Sequence, residues 1–279
     1  MNEINKVRAK YRYSWILLRE MVKTDFKLRY QGSILGIAWS ALKPLMLFVV
    51  MYAVFVKFLR INDPNVPHYA VVLLLGISTW SFVGESTGGS IGAVVENSGL
   101  LRKINMPKYL IVLQKIVSAA INLGINLIIV IIFAIIFGVH FTWSVLWVPL
   151  ILIELFALVF AISMFLAALF VRFRDIGPIW EVVLQILFYA TPIIWPISYI
   201  AAKASVPAWV TKVVLLNPFA QIIQDLRHNL LAPIPALQTT WSEIHQWYFA
   251  IIPVVIVILL SIGATLYFRK RSKTFAEEA

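Results

Sequence analysis

The stretch "FLAALFVRFRDIGPIWEVVLQILF" (residues 165–188) places three charged side chains, Arg172, Arg174 and Asp175, between two apolar runs. Each run is long enough to enter a lipid bilayer, which takes roughly 20 apolar residues to cross. A charged turn between two such runs predicts that the chain leaves the membrane there and enters it again. The fold question is therefore how often the chain crosses and on which side this turn lies.

Composition supports a membrane protein. Of 279 residues, 61% are hydrophobic and 13% are charged, and the mean hydropathy is +0.87. A soluble domain of this length could not bury so much apolar surface. The first apolar run follows more than thirty mixed residues, which argues against a cleaved signal peptide. The chain has no cysteine and its four histidines are scattered, so no metal site is predicted.

The pattern predicts an all-α integral membrane protein in two parts. Residues 1–31 are basic and amphipathic, and they predict a helix lying in the membrane interface. Residues 32–279 form a six-span membrane domain, and between spans five and six an external region at about 192–246 holds short, partly re-entrant helices. The six predicted spans cover 34–58, 69–95, 109–137, 145–170, 176–194 and 247–268.

Positive charge sets the predicted orientation. Seventeen Lys and Arg residues fall on the side of the termini and five on the other side. Both termini, and the turn at Arg172, are therefore expected in the cytoplasm. The same asymmetry accounts for the net charge of +11, so no nucleic-acid partner is predicted.

Three carboxylates and three spaced glycines fall within the spans. Glu85, Glu154 and Glu181 are read either as a polar channel wall or proton relay, or as groups satisfied by neighbouring helices. No His or Arg is expected at matching depth, so proton coupling is not favoured. The glycines at 84, 88 and 92 share one helix face, for which packing within the chain is favoured over contact with a second copy.

Aromatic residues are abundant, with ten Trp, ten Tyr and eighteen Phe. An interfacial aromatic belt is the simplest explanation. The alternative is a lining on which sugar rings stack, and its candidate residues, with one acid, are Trp80, Phe82, Glu85, Trp180, Phe188 and Tyr189. An Asp225–His228 pair in the external region is interpreted as helix capping or solvation.

The connection "ENSGLLRKINMPKYL" (residues 96–110) mixes apolar and basic residues on the predicted cytoplasmic side. Apolar side chains exposed there indicate docking onto a partner, and an interfacial turn on lipid head groups explains them equally well. No Gly-Lys dipeptide occurs in the chain. A phosphate-binding loop of the P-loop kind is therefore excluded, and no cofactor is predicted in this chain.

Several segments together resemble the membrane permease subunit of type-2 ABC exporters, in the branch that exports polysaccharides such as O-antigen, capsule and teichoic acid. They are "LRYQGSILGIAWSALKPL" (28–45), "ENSGLLRKINMPK" (96–108), "RFRDI" (172–176), "TPIIWP" (191–196) and "LNPFAQIIQDLR" (216–227). Each motif is weak alone, but their order and spacing along nearly the whole chain are specific.

The resemblance implies a homodimer that binds two copies of an ABC ATPase, which would bind ATP and Mg²⁺ while this chain is not itself an enzyme. It implies lipid-linked polysaccharide as cargo, and a multi-pass location among the lipids of a bacterial inner or plasma membrane. A coupling helix at about 97–107 would dock onto the ATPase through Gly99, Leu100, Leu101, Arg102, Lys103, Ile104, Asn105 and Met106. The turn at Arg172, Arg174 and Asp175 would lie nearby, and Thr191, Pro192, Asn217 and Pro218 would belong to an external gate.

Other functions remain open at this level. A permease of the same superfamily that moves a lipid or a drug would share these motifs. An ion-driven secondary transporter would depend on ion gradients instead of ATP. A membrane-embedded glycan transferase would need clustered acids or histidines near the membrane surface, and the sequence shows none. Neither the polymer nor its lipid carrier is specified by the sequence.

Overall fold

The computed structural model describes residues 3–33, 35–60, 66, 68–103, 106–195, 197–198, 207–231, 239–244, 247–273 and 275. All regular structure in these ranges is helical. The first helices are α1 (Glu3–Tyr30), α2 (Ala38–Met51, continued by a π-helix at Tyr52–Phe58), α3 (Tyr69–Ile91), α4 (Ala93–Glu96), α5 (Ser98–Lys103), α6 (Tyr109–Ile136) and, after a 3₁₀ turn at Trp143–Trp147, α7 (Val148–Phe170). The remainder are α8 (Ile176–Ala190), α9 (Ala208–Leu215), α10 (Pro218–Leu230), α11 (Thr240–Glu243), α12 (Trp247–Ala250) and α13 (Ile252–Arg271).

Five described segments are long and apolar enough to cross a membrane. They are Ala38–Phe58, Tyr69–Ile91, Tyr109–Ile136, Trp143–Phe170 and Tyr248–Arg271. The expected fifth span, 176–194, is shorter than predicted, because α8 ends at Ala190 where the backbone of Thr191 becomes extended. Fifteen residues rise about 22 Å, less than the roughly 30 Å of the hydrocarbon layer. A sixth crossing and the side of the termini therefore stay predictions.

Helix α3 lies at the centre of the molecule and packs against α2, α6, α7 and α8. It is the least apolar of the five spans, with a hydropathy of 1.3 against 2.7 for three of the others. Some of its buried hydroxyls bond within the helix: Thr79 Oγ1 donates to the Leu75 carbonyl at 2.8 Å, and Ser90 Oγ donates to the Ser86 carbonyl at 2.6 Å. Small polar residues are tolerated here because the helix is surrounded by protein and not by lipid.

Helices α6, α7 and α13 form the apolar outer surface. Ile128 on α6, Ile153 on α7 and Leu259 on α13 are each about 60% exposed. Exposed apolar area on this scale is unstable in water, so these faces contact lipid. Helix α13 packs mainly along α7.

Helices α2 and α8 leave their apolar faces uncovered by the described chain. Only 11% of the span that α2 begins is buried, and no residue of α8 is buried. Pro44 lies inside α2, and the helix widens into π geometry from Tyr52. A π segment of seven residues is longer than the usual single turn, and such segments are frequent at functional sites.

Candidate docking surface, cavity and external gate

The expected coupling segment forms the short helices α4 and α5 between α3 and α6. Gly99 and Lys103 are exposed, and Arg102 lies in the same helix, α5. A Cβ added to Gly99 would meet no atom within 4 Å, so the surface around it is open. Ile104 and Asn105 lie outside the described residues.

The apolar side chains of this segment are less free than the sequence suggested. Met106 is 6% exposed and packs in a small cluster with Ala93 and Ile111. Leu100 and Leu101 are half-buried against this cluster, as are Leu17 and Met21 of α1. The expectation that the apolar residues are exposed is therefore wrong for Met106 and holds only in part for the two leucines. Their packing joins α1 and α5 into one surface.

The turn between α7 and α8 is exposed, as its charges require. The Arg172 guanidinium carbon lies 5.3 Å from the centre of the Phe173 ring, and that of Arg174 lies 5.1 Å from the Phe170 ring. Cations over aromatic faces keep their charge in water while the rings reach towards the membrane. Asp175 immediately precedes α8, where a negative charge complements the helix dipole.

Ion pairs hold α1 against the spans. Lys115 Nζ of α6 lies 2.8 Å from Asp25 Oδ1, and Arg29 pairs with Glu85 of α3. Asn122 Nδ2 donates to the same Glu85 oxygen at 2.7 Å. Burial alone would raise the pKa of the Asp25 carboxyl, but the hydrogen bond and charge of Lys115, helped by Ser118 and Arg29, hold it below its usual value.

Glu85 therefore does have a cationic partner, contrary to the sequence interpretation. The partner comes from the N-terminal helix, which was predicted to lie in the membrane interface. Sequence spacing could not reveal this pair, because the two residues are 56 positions apart.

A cavity of about 670 Å³ opens beside this pair, between α1, α2, α3 and α6. Two predicted lining residues, Phe82 and Glu85, border it. Its remaining walls combine two cations with hydroxyl, amide, aromatic and small residues, namely Arg29, Ser33, Trp39, Ser40, Lys43, Pro44, Ser81, Gly84, Gly89, Asn122, Leu123 and Asn126. The arrangement can hold a hydrated, hydrogen-bonding group that carries negative charge.

Gly84 lines this cavity, and Gly88, one turn further along α3, is exposed. A Cβ on Gly84 or Gly88 would meet no atom within 4 Å among the described residues. Within the part of the chain that the structure describes, no neighbouring helix comes close to these two positions, so the preference for packing within the chain gains no support there. At Gly92 an added Cβ would lie 2.7 Å from Oε1 of Glu96, the last residue of the adjoining helix α4.

The other predicted lining residues lie on the opposite side of α3, towards α8. The Trp80 ring lies 6.0 Å from Phe188 and 5.5 Å from Phe219 of α10. Trp180 Nε1 donates to Thr87 Oγ1 at 2.9 Å, which joins α8 to α3. Trp80 is 9% exposed and Phe82 is 3% exposed, so both are packed within this chain, whereas Tyr189 is 56% exposed. The aromatic set thus divides between two surfaces.

The expected gate residues come together in space. Thr191 and Pro192 follow α8 and are buried, and Asn217 Nδ2 lies 3.4 Å from Thr191 Oγ1. Asn217 also caps α10, since its Oδ1 accepts from the Phe219 amide at 3.1 Å, and Pro218 fills the first helical position. These contacts fix the start of α10 against the end of α8.

The burial of Arg227 of α10 was missed by sequence reasoning. The residue was counted among the external cations, but it is 2% exposed. Its guanidinium donates to the carbonyls of Pro192 at 2.5 Å, Ile193 at 2.7 Å and Val72 at 3.2 Å. Gly76 of α3 makes room for it, because a Cβ there would lie 2.5 Å from Arg227 Nη2.

Asp225 is also buried, which corrects its interpretation as a solvated or capping residue. Gln221 Nε2 donates to Asp225 Oδ2 at 2.6 Å and lies 3.4 Å from Glu154 Oε2 of α7. Burial raises the pKa of the Asp225 carboxyl to about 7, and the Glu154 charge adds to the rise, against the hydrogen bond from Gln221. Burial lowers the pKa of His228, so its ring is neutral at pH 7.

Comparison with known proteins places these features in a family. A family model described as "ABC-2 type transporter" matches residues 16–231. The chain belongs to the ABC-2 type transporter family. The match runs from α1 to the end of α10, and so includes the expected coupling segment, the cavity and the expected gate residues of this ABC-2 transporter protein.

Curated relatives match over nearly their whole length. The chain is 27% identical over 277 residues to the O-antigen export system permease protein RfbA of Myxococcus xanthus, with 98% of this chain and 99% of that protein covered. It is 25% identical over 274 residues to an O-antigen export system permease protein RfbA of Klebsiella pneumoniae, with 97% and 98% covered. With several apolar spans, this ABC-2 transporter protein is a multi-pass protein of a bacterial inner membrane.

Proposed function

We propose that this chain is the membrane subunit of an ATP-driven exporter that moves lipid-linked polysaccharide across the cytoplasmic membrane. The observation that carries the proposal is the full-length similarity to permeases named for O-antigen export. Two copies form the channel, and each binds an ABC ATPase. The glycan is of the O-antigen, capsule or teichoic acid type.

The ATPase docks at the surface formed by α1 and α5. Because Leu100, Leu101 and Met106 pack towards α1, the exposed side around Gly99 and Lys103 is what remains for the partner. Movement imposed on α5 is passed to α3 through α4 and to α1 through the shared apolar cluster. The ion pairs of Asp25 and Arg29 then carry it to α6 and α3.

Cargo enters from the side of α1, through the cavity beside Glu85. Lys43 offers positive charge for an anionic link between lipid and glycan, and Asn126 and the serines offer hydrogen bonds to sugar hydroxyls. The lipid tail remains at the exposed faces of α2, in contact with the bilayer. The aromatic group around Trp80 and Phe188 lies further along, next to the gate residues that Arg227 anchors.

A crosslinking experiment tests the docking surface. Since the chain has no cysteine, Gly99→Cys introduces a single thiol at the exposed side of α5. Leu146→Cys is the matched control, as Leu146 is 72% exposed at the other end of the α6–α7 hairpin. We expect a thiol-reactive crosslinker in the producing cells to capture an ABC ATPase at position 99 only. Capture at neither position, or equally at both, would contradict the proposal.

A second measurement tests coupling and cargo. Gly99→Trp adds bulk where the chain itself has space, so folding is preserved while docking is blocked. We expect export to fall about tenfold or more, which corresponds to losing roughly 1.4 kcal/mol of docking free energy. Lipid-linked glycan should then accumulate inside the cell. Accumulation of a different lipid or of a drug would agree with an ABC exporter and would contradict lipid-linked glycan as its cargo.

A further inference from the structure

A second cavity, of about 730 Å³, lies on the opposite side of the molecule between α7, α10 and α13. It shares no lining residue with the cavity beside Glu85. Apolar side chains make up most of its walls, with Trp147 and Trp241 among them. Of the polar lining side chains on α7 and α10, Asn229 Nδ2 donates to the Asp225 main-chain carbonyl, and the other four are Glu154, Gln221, Asp225 and His228.

These four groups converge because of helical spacing. Gln221, Asp225 and His228 are four and three residues apart on α10, which places them on one face. That face is turned to Glu154, since Gln221 Nε2 reaches both carboxylates. Ionised carboxylates only accept hydrogen bonds, so the NH₂ end of the Gln221 amide must point to them and its oxygen must point away.

The site has acceptors without donors. Glu154 Oε1, Gln221 Oε1 and His228 Nδ1 are buried atoms with no hydrogen-bond partner among the described residues. The Gln221 side chain is only 2% exposed. Leaving such atoms unpaired in an apolar cleft is unfavourable, and each ionised carboxylate adds uncompensated negative charge.

The missing partner must be cationic, rich in N–H donors and attached to an apolar body. A primary ammonium group carries one positive charge and three donors, as many as there are unpartnered acceptors. A sugar would supply donors but leave both carboxylates uncompensated. A metal ion does not fit, because the described residues contain no group of three or more metal-ligating side chains.

We propose that this cavity binds the primary-ammonium head group of a membrane phospholipid from the outer half of the bilayer. The cleft opens on the lipid-facing surface, where Leu150, Ile153 and Ile258 are 56%, 65% and 52% exposed. Trp residues of this kind mark the membrane interface, and Glu154 lies about 10 Å further along α7 than Trp147. The bound lipid braces α10, and with it the gate segment, against α7 and α13. This inference does not depend on the identity of the cargo.

Lipid retention measured by native mass spectrometry tests the site on the unaltered protein. The purified chain is given dioleoyl phosphatidylethanolamine, phosphatidylcholine and phosphatidylglycerol in equal amounts. Phosphatidylcholine keeps the charge and the phosphate but has no N–H donor. We expect phosphatidylethanolamine to be retained at least about tenfold over phosphatidylcholine, the ratio typical of a charge-assisted hydrogen bond.

Matched variants locate the preference. Glu154→Gln should reduce retention of phosphatidylethanolamine to the level of phosphatidylcholine, whereas Glu181→Gln, at an exposed carboxylate of α8, should leave it unchanged. Equal retention of the two lipids by the unaltered protein would overturn the proposal, and so would a preference that survives Glu154→Gln. If a free amino sugar is retained more strongly than phosphatidylethanolamine, the ammonium group does not come from a lipid and the proposal is wrong.

Discussion

Arg227 shows how a buried cation can serve as an anchor without an acidic partner. Its three nitrogens are directed to the Val72, Pro192 and Ile193 carbonyls and to Gln224 Oε1, so the charge is solvated by dipoles. Burial lowers the pKa of Arg227 to about 10, which still leaves it protonated at pH 7. One side chain thereby ties α10 to the buried segment after α8 and to α3.

Replacing Gly76 tests this anchor. Gly76→Ala places a methyl group 2.5 Å from Arg227 Nη2, so the guanidinium must move away from its carbonyls. We expect the free energy of unfolding to fall by about 1–3 kcal/mol, the usual cost of overpacking. The measurement is thermal unfolding in detergent. Gly263→Ala, at an open position of α13, is the control and should leave stability unchanged or slightly raise it. Equal stability of the two variants would refute the anchor.

The gate motif and its anchor differ in how far sequence could predict them. Asn217 and Pro218 form a recognisable helix start, and the structure confirms that α10 begins there. Arg227 looked like one more surface cation, because its partners are main-chain carbonyls, which leave no trace in the pattern of side chains. Gln221 and Asp225 were missed for a related reason: their partner, Glu154, is distant in sequence.

At the scale of elements, the attachment of α1 to the spans is the most consequential contact. Helix α1 continues to Tyr30. Gly32 and Gly36, both with positive φ, then turn the backbone before α2 begins. Lys115 of α6 and Glu85 of α3 pair with its second half. A helix that merely lay on head groups would not need these pairs, so α1 is suited to pass movement from its surface to the spans.

Weakening one pair should loosen α1. Asp25→Asn removes a half-buried charge that Lys115 and Arg29 share, at a cost of roughly 1 kcal/mol, and local opening of α1 should become about fivefold more frequent. The rate of limited tryptic cleavage within α1 measures this. Glu20→Gln is the control, since Glu20 is an exposed acid on the same helix. If both variants are cleaved at the rate of the unaltered protein, the pair does not hold α1 in place.

The apolar pattern of the sequence predicted the helical fold and the approximate bounds of the spans. Five of the predicted spans agree with the structure to within a few residues. Two elements departed from expectation for physical reasons. Helix α8 stops four residues early because Thr191 and Pro192 turn into the segment that Arg227 holds. Helix α5 packs its leucines inward because α1 offers Leu17 and Met21 to cover them.

At the scale of the whole molecule, the faces of α2 and α8 that the described residues leave uncovered are where the second copy of the proposed dimer would pack. α8 presents Ile179, Val182 and Ile186 at 55%, 57% and 62% exposure, next to the aromatic group at Trp80. Lipid could cover an isolated apolar helix, but α8 is too short to span the bilayer comfortably by itself. A second copy packed against it would enclose a path between the two chains.

A cysteine introduced at the exposed face of α8 tests whether a second copy packs there. Ile186→Cys is expected to form a covalent dimer under mild oxidation in the membrane, seen as a doubled mass on a non-reducing gel. Ile128→Cys, equally exposed on the lipid-facing side of α6, should remain monomeric. Dimers formed equally by both variants would indicate random collision, and none with Ile186→Cys would exclude α8 from the axis of the dimer.

The modest hydropathy of α3 has a consequence for how the protein is made. Insertion of a segment during synthesis depends on how favourably it partitions into lipid. Helix α3, with a hydropathy of 1.3 and the carboxylate of Glu85, partitions weakly. The Asn122 hydrogen bond to Glu85 and the packing of α3 against α6 become available only when α6 has been synthesised. We expect nascent chains cut after α3 to slip out of the bilayer and chains that extend through α6 to stay, as carbonate extraction would measure. The helix at the centre of the finished molecule thus becomes stable in the membrane only after a later helix has been made.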